Sequence, residues 1–301
     1  MDVQRLRVLR ELADRGSVTA VAAALSFTPS AISQQLKALS EEVGMPLTEP
    51  AGRGLRLTEA GRALVGEAEH VLAAVARAEA AVQSLREAPQ GVVRMALFPS
   101  GARMLLAGLL RHVAGSGIEL QVRDLDMQPS DAVVLAADHD LVVTHRDEHT
   151  PPLESRRHRV LPLVREPLDV VLPPGHPLAA QRRIRLDELA DEPWISVNVG
   201  WPVDDVLRSL TTLTGTRPRI VQRINDFSVT EELVAAGVGV ALLPRWSTDD
   251  RRGRRFVRRP LAGVRAARMI EIVLRESEAE RPAVRSVITA LEAAVRDVTG
   301  S

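Results

Sequence analysis

Residues 26–43 read SFTPSAISQQLKALSEEV, and this stretch decides the fold. Thr28 suits a helix N-cap, and Pro29 suits the first helical position, where its missing N–H costs nothing. Phe27 and Ile32 fall on the two staple positions that flank such a cap. Ile32, Leu36, Leu39 and Val43 share one face of the helix that follows and form its buried stripe. Ser30, Ser33, Gln34 and Lys37 lie on the other side, within its first turns. Short hydrogen-bonding side chains beside a single cation suit base edges and a phosphate. On an isolated helix the same stripe would be an ordinary solvated face. The acids Glu41 and Glu42 come only at the far end, away from the leading turns.

The preceding residues decide between these readings. Leu6, Leu9 and Leu12 or Ala13 recur at helical spacing, and Gly16 can end that helix in a left-handed cap. Ser17 or Thr19 can cap a short alanine-rich helix through Leu25. A tight small helix, a short turn and a well-capped third helix make the helix-turn-helix pattern. Thr19, Thr28, Ser30, Ser33, Gln34 and Lys37 are therefore the candidate DNA contacts. Further on, Leu47 and Gly52-Arg53-Gly54-Leu55-Arg56-Leu57-Thr58 predict a small hairpin. Glycines among its arginines let the backbone approach a phosphate or minor groove, as in a wing, and add Arg53 and Arg56 to the contacts.

Thr58-Glu59-Ala60-Gly61 opens a long helical pattern over 59–88. Leu64, Ala68, Val71, Val75, Ala78, Val82 and Leu85 are spaced alternately by 4 and 3, giving three unbroken heptads. The opposite face carries Arg62, Glu67, Arg77 and Gln83, so the seam predicts a homodimer rather than packing within one domain. Glu87 to Gly91 reads as a linker. Beyond it VVRMALF, IELQVR, DLVVTH, LDVVLP and GVGVALLP alternate with helical segments, which predicts βα units and a largely parallel sheet.

Composition narrows the function. The 301 residues are 45% hydrophobic and 26% charged, as in a globular protein of two or three domains. Cysteine is absent, which excludes disulfides, zinc–thiolate sites and cysteine nucleophiles. Lys37 is the only lysine, so Schiff-base and P-loop chemistry have little material. No apolar run reaches the length of a membrane span, and the start MDVQRLRVLRELADRG is unlike a signal peptide, so a cytoplasmic protein is expected. There is no G-x-S-x-G, Walker loop or H-E-x-x-H, which argues against an enzyme. No cofactor is expected. His139, His145 and His149 straddle a strand and a Pro151-Pro152 loop, so no single face presents them to a metal.

The ordered combination of RVLRELADRGSVTAVAAALSFTPSAISQQLKALSEEVGMPL (7–47) with LRLTEAGRAL (55–64) resembles the N-terminus of LysR-type transcriptional regulators. PLDVVLPPGHPLA (167–179), LADEPWISVNVG (189–200) and ELVAAGVGVALLPRW (232–246) resemble the effector-binding domain of that family. The resemblance implies a winged helix-turn-helix domain (1–58), a dimerising linker helix and hinge (59–90), and an α/β effector domain (91–301). That last part would be periplasmic-binding-protein-like, with subdomains at about 92–160 plus 270–301 and about 163–265. It implies homodimers or homotetramers on promoter DNA with inverted-repeat half-sites, controlled by a small molecule in the cleft. The alternative is a solute-binding ligand sensor without DNA-binding activity, which leaves the first 88 residues idle and requires a signal peptide.

This chain departs from the family in places. The family often has glutamine at Pro29, proline at Ser30 and arginine at Gln34, so base readout rests here on Ser30, Ser33 and Gln34. Thr48-Glu49-Pro50 replaces the usual phenylalanine and arginine of the wing. Glu49 repels phosphate, which leaves Arg53 and Arg56 to hold the wing. Residues 1–58 carry seven basic and six acidic groups, so bulk charge cannot supply the affinity.

Matching the family's pattern places Ser100 and Gly101 at a helix N-terminus able to hold an anion. Thr144 and His145 follow one strand and Asn198, Val199, Gly200 and Trp201 another, with Asp226, Phe227 and Gly239 completing the wall. Ligands gather outside strand carboxyl ends in such sheets, although a serine or threonine there equally caps the next helix. A small anionic effector is expected, a carboxylate above all, with an apolar one held by Phe98, Trp201 and Phe227 as the other choice. The arginines between 245 and 268 read as a solvated loop and edge strand, an oligomer contact or a funnel for anions.

Overall fold

The computed structural model describes residues 1–52, 54–83, 89–155, 157–249 and 255–300. Helix α1 (Val3–Arg15) is capped by the Asp2 carboxylate and closed by Gly16 at φ 65°. Of the two candidate caps, Ser17 is the one that accepts from Ala20 N–H and starts α2 (Val18–Leu25). Thr28 Oγ1 accepts from Ala31 N–H at 3.2 Å to start α3 (Pro29–Val43), which Gly44 ends. Ile32, Leu36 and Leu39 are buried against Leu6, Leu9, Leu12 and Val21, and Val43 is half-buried. The staple does not form as expected. Ser26 turns left-handed (φ 57°), Phe27 N–H donates back to Ala22, and the Phe27 ring stays 41% exposed.

Strands β1 (Thr48–Ala51) and β2 (Gly54–Leu57) form the wing, with Glu49 paired across from Arg56. Thr58 Oγ1 accepts from Gly61 N–H at 3.0 Å and opens α4 (Glu59–Gln83). The helix lies so close to the preceding segment that a methyl group on Gly61 would overlap the Leu47 carbonyl oxygen. Gly61→Ala should therefore destabilise the winged domain by about 1–3 kcal/mol, the range for overpacking. An unshifted urea midpoint would show that the contact yields without cost.

The α/β half runs β3 (Gly91–Leu97), α5 (Pro99–Val113), β4 (Ile118–Asp124), α6 (Asp131–Leu135), β5 (Leu141–Asp147) and β6 (His158–Leu172). It continues with β7 (Pro193–Ser196), α7 (Pro202–Thr214), β8 (Arg219–Arg223), α8 (Phe227–Ala235), β9 (Val240–Pro244), β10 (Val257–Pro260), β11 (Ala267–Arg275), α9 (Glu276–Ala279) and α10 (Pro282–Thr299). The strand order is β4-β3-β5-β11-β6-β9-β7-β8, with β10 on β6. The sheet is less parallel than the sequence predicts. The trios β4-β3-β5 and β9-β7-β8 are parallel, but β6 and β11 run antiparallel to each other and to their other neighbours. These two long strands pass from one half to the other, and β6 runs straight through positions 160–163.

Two large cores and a smaller third cluster around Phe256 follow. One gathers Leu97, Leu105, Val142, Ile272 and Leu291, the other Val170, Trp194, Leu207 and Leu242. Strands β5 and β9, one in each half, are buried almost throughout, as strands covered on both faces are. No described helix is long and apolar enough to cross a membrane.

A buried charge cluster joins the winged domain to the α/β half. Arg275 of β11 binds Glu11 at 3.0 Å and Asp14 at 2.7 Å, both on α1. Arg10 reaches Glu11, Ser277 Oγ and Glu69 of α4, while Ser277 donates to Glu69 from its N–H and its hydroxyl, each at 3.1 Å. Arg157 binds Asp14. With Arg15, which binds Glu11 at 2.8 Å, four arginines thus meet three carboxylates. Burial pushes the Glu11 carboxyl up, but Arg275, Arg10 and Arg15 outweigh it and hold the group below its ordinary value.

Candidate DNA-reading surface and effector cleft

The reading face of α3 is open to solvent. Ser30, Ser33, Gln34 and Lys37 are exposed on its first turns, as are Thr19 and Thr28 beside them. Thr28 is already committed to the cap and to a 3.0 Å contact with Ser30. Ser33 donates to the Pro29 carbonyl at 3.0 Å, which leaves its oxygen lone pairs outward as acceptors. Lys37 has only a loose pairing with Glu41 at 3.8 Å. The wing differs from the sequence expectation. Arg56 Nε binds Glu49 at 2.8 Å across the hairpin, so its charge is largely cancelled before DNA arrives. Arg53 lies outside the described residues.

On α4 the expected seam divides. Ala68 is buried and Leu64 half-buried in the winged domain's own core, which withdraws both from a seam between chains. Val65, Leu72 and Ala73 share that inward side. Val71, Ala78 and Val82 are exposed, and Val75 is half-exposed. Leu85 lies outside the described residues.

The cleft sits where the carboxyl ends of the parallel strands meet between the two cores. Its cavity of 430 Å³ is lined by residues that include Phe98, Ser100, His145, Trp201 and Phe227. Thr144 does not line it. It precedes His145 on β5, where successive side chains point to opposite faces, so His145 alone faces the cavity. Asn198, Val199 and Gly200 belong to an exposed loop tip, where Asn198 N–H donates to Asn225 Oδ1 at 2.9 Å. Gly101 is buried under the Phe98 ring, with no room for a Cβ, and Gly239 packs on the Pro193 carbonyl. Both are packing positions.

Sequence reasoning missed Arg103, Asp124, Asp126, Met127, Asn225 and Ser247, which also line the cavity. Asp124 ends β4, so the rule of strand carboxyl ends could have found it. Beneath the floor, Arg268 is fully buried and holds Glu166 Oε2 through Nε at 2.8 Å and Nη2 at 2.6 Å. Its Nη1 donates to Ser100 Oγ at 2.9 Å, and the guanidinium lies 4.9 Å from the Phe98 ring centre. The Phe98 ring meets His145 edge-on at 4.0 Å. Burial, then the Arg268 charge, keeps the His145 imidazole well below its usual range and hence neutral.

The arginine stretch is mostly engaged within the chain. Arg245 binds Asp169, Arg255 binds Glu231 and Glu232, and Arg259 donates to the Gln181 and Ala179 carbonyls. Arg251, Arg252 and Arg254 lie outside the described residues, and Arg265 is exposed.

Residues 86–296 match the LysR substrate binding domain, and residues 3–62 match the bacterial regulatory helix-turn-helix protein, lysR family. The chain belongs to the LysR family of transcriptional regulators. A LysR-family relative, the small neutral protease regulatory protein of Streptomyces coelicolor, is 33% identical over 276 residues, covering 88% of this chain and 80% of the relative. Among solved structures, full-length OxyR from Pseudomonas aeruginosa superposes with a TM-score of 0.67 at 19% identity, covering 97% of this chain and 98% of that one. Full-length CbnR, a LysR-family regulator solved in complex with its target DNA, superposes at 0.55 and 19% identity, covering 98% and 100%. This LysR-family chain thus combines a helix-turn-helix domain with an α/β effector-binding domain.

Proposed function

We propose that this LysR-family regulator reads promoter half-sites with the exposed face of α3, as a dimer closed along α4, under control of a small effector in the cleft. One observation carries the reading. The first two and a half turns of a well-capped helix present Ser30, Ser33, Gln34 and Lys37 to solvent, with no acid among them. The solved CbnR complex with target DNA supports the same use of this fold. With nearly balanced charge in the winged domain, affinity comes from pairing two such helices on one duplex, about one helical turn apart. Arg53 supplies the wing's phosphate contact, since Arg56 is tied to Glu49. We also take residues 1–58, 59–90 and 91–301 as reading, dimerising and sensing units. Ser100, His145, Trp201 and Phe227 contact the effector, and the protein works in the cytoplasm, where promoter DNA is found.

Substitutions on α3 test the reading. Gln34→Ala should cost about 1–3 kcal/mol at one half-site position and relax base preference there. Lys37→Ala should weaken all sequences alike and lower the salt slope by about one unit. A selection experiment returning the wild-type motif for Gln34→Ala would show that α3 does not face the groove as argued.

A further inference from the structure

Building on the reading of the cleft as the effector site, we propose that the ligand is a small zwitterion with an apolar body: an ammonium group faces Asp124 and Asp126, and a carboxylate faces Ser100. A simple carboxylate, the expectation from sequence, answers only half of the cavity.

The charges around the cleft do not balance. Arg103 is held by Glu231 through two hydrogen bonds at 3.0 and 3.5 Å, and Arg268 is held by Glu166. Arg103 shares the buried Glu231 with Arg255, which also binds Glu232, and Arg268 has the buried Glu166, so these cations are matched, and His145 is neutral. Asp124, Asp126 and Asp226 remain, all lining the same cavity. Asp226 caps α8, where Ser228 donates to it from N–H and hydroxyl, and these bonds, with the nearby Arg103 charge, hold its carboxyl below the usual range. Among the described residues, Asp126 accepts only from the neutral Asn225 side chain, at 3.2 Å. Among the described residues, no ion pair involves Asp124 or Asp126. This rim repels a bare anion and attracts an ammonium group.

The neighbouring strand end, where β3 runs into α5, offers donors. Ser100 Oγ accepts from Arg268, so its own proton is free to donate into the cavity. Helix α5 from this half and α7 from the other open on the cavity without a side-chain cap on their leading N–H groups. Two further polar atoms lack any partner: His145 Nδ1 and Ser247 Oγ, on side chains only 8% and 5% exposed. Both atoms are closed off from the cavity as the side chains stand, and a turn of either toward a polar ligand would relieve the cost of leaving it unbonded. Phe98, Met127, Val197, Trp201, Val203 and Phe227 supply apolar walls for the body of the ligand. The 430 Å³ volume suits a molecule the size of an amino acid with a large apolar side chain.

The test uses the full-length protein and calorimetric titration with the twenty standard amino acids. Each amino acid that binds is compared with its deaminated acid and its decarboxylated amine. At least one apolar amino acid should bind ten-fold or more tightly than both counterparts. Asp124→Asn/Asp126→Asn should erase its advantage over the acid, and Ser100→Ala its advantage over the amine. A deaminated acid that binds equally well, and weakens with Ser100→Ala, would overturn the zwitterion but keep the cleft as the effector site. Binding indifferent to both variants would move the ligand elsewhere and remove the cleft reading as well. Silence from all twenty amino acids would also overturn the inference.

Discussion

Arg268→Met should cost the effector domain about 3–5 kcal/mol, the toll for stranding one member of a buried ion pair. Arg268 and Glu166 are both fully buried, and Glu166 Oε1 is already committed to Trp246 N–H at 3.1 Å. Removing the guanidinium leaves a carboxylate with no cation and no route to water. The same change frees Ser100 and takes away the cation lying over the Phe98 ring, so the cleft floor loosens with the fold. Arg268→Met combined with Glu166→Leu should recover most of the loss, because matched apolar replacements remove both desolvation penalties. Urea unfolding of the single and double variants decides the matter. Equal midpoints in the two would mean that the pair is not what holds these strands together.

The second large effect concerns assembly. Val71 and Ala78 are one heptad apart on the outer side of α4 and are exposed in the single chain. Val71→Asp/Ala78→Asp should therefore leave the chain's own unfolding midpoint almost unchanged. In a dimer closed along this face the same aspartates are buried without partners, at a cost of several kcal/mol each. The protein should sediment as a monomer and lose promoter specificity, which is worth about a thousand-fold or more over non-specific DNA in such systems. A dimer that survives this double substitution would remove α4 as the joint between chains.

The winged domain is legible in sequence because its instructions are local. Thr28, Gly16 and Thr58 each act within four residues of their own position, and the apolar spacing of α3 is visible without partners. The α/β half is legible only as a series of strands. That β6 and β11 cross antiparallel depends on pairing between segments about a hundred residues apart, which no spacing rule reveals. The cleft was half readable for the same reason. Strand ends point to Ser100, His145, Trp201 and Phe227, but the alternation along β5 turns Thr144 away, and the loop after β7 carries Asn198 to Gly200 outward. The balance of charge was hidden altogether, because Glu166 and Glu231 neutralise arginines distant in sequence.

The charge cluster between α1, α4 and β11 has a consequence in angles. Apolar surfaces can slide by fractions of an ångström and still touch, but a dehydrated set of two arginines and three carboxylates is either matched or broken. While Arg10, Arg275, Glu11, Asp14 and Glu69 stay matched, the effector half and the reading head turn as one piece. Half-sites about 34 Å apart put each reading helix about 17 Å from the two-fold axis. A swing of about ten degrees at that radius carries the helix about 3 Å, close to one base-pair step along the duplex.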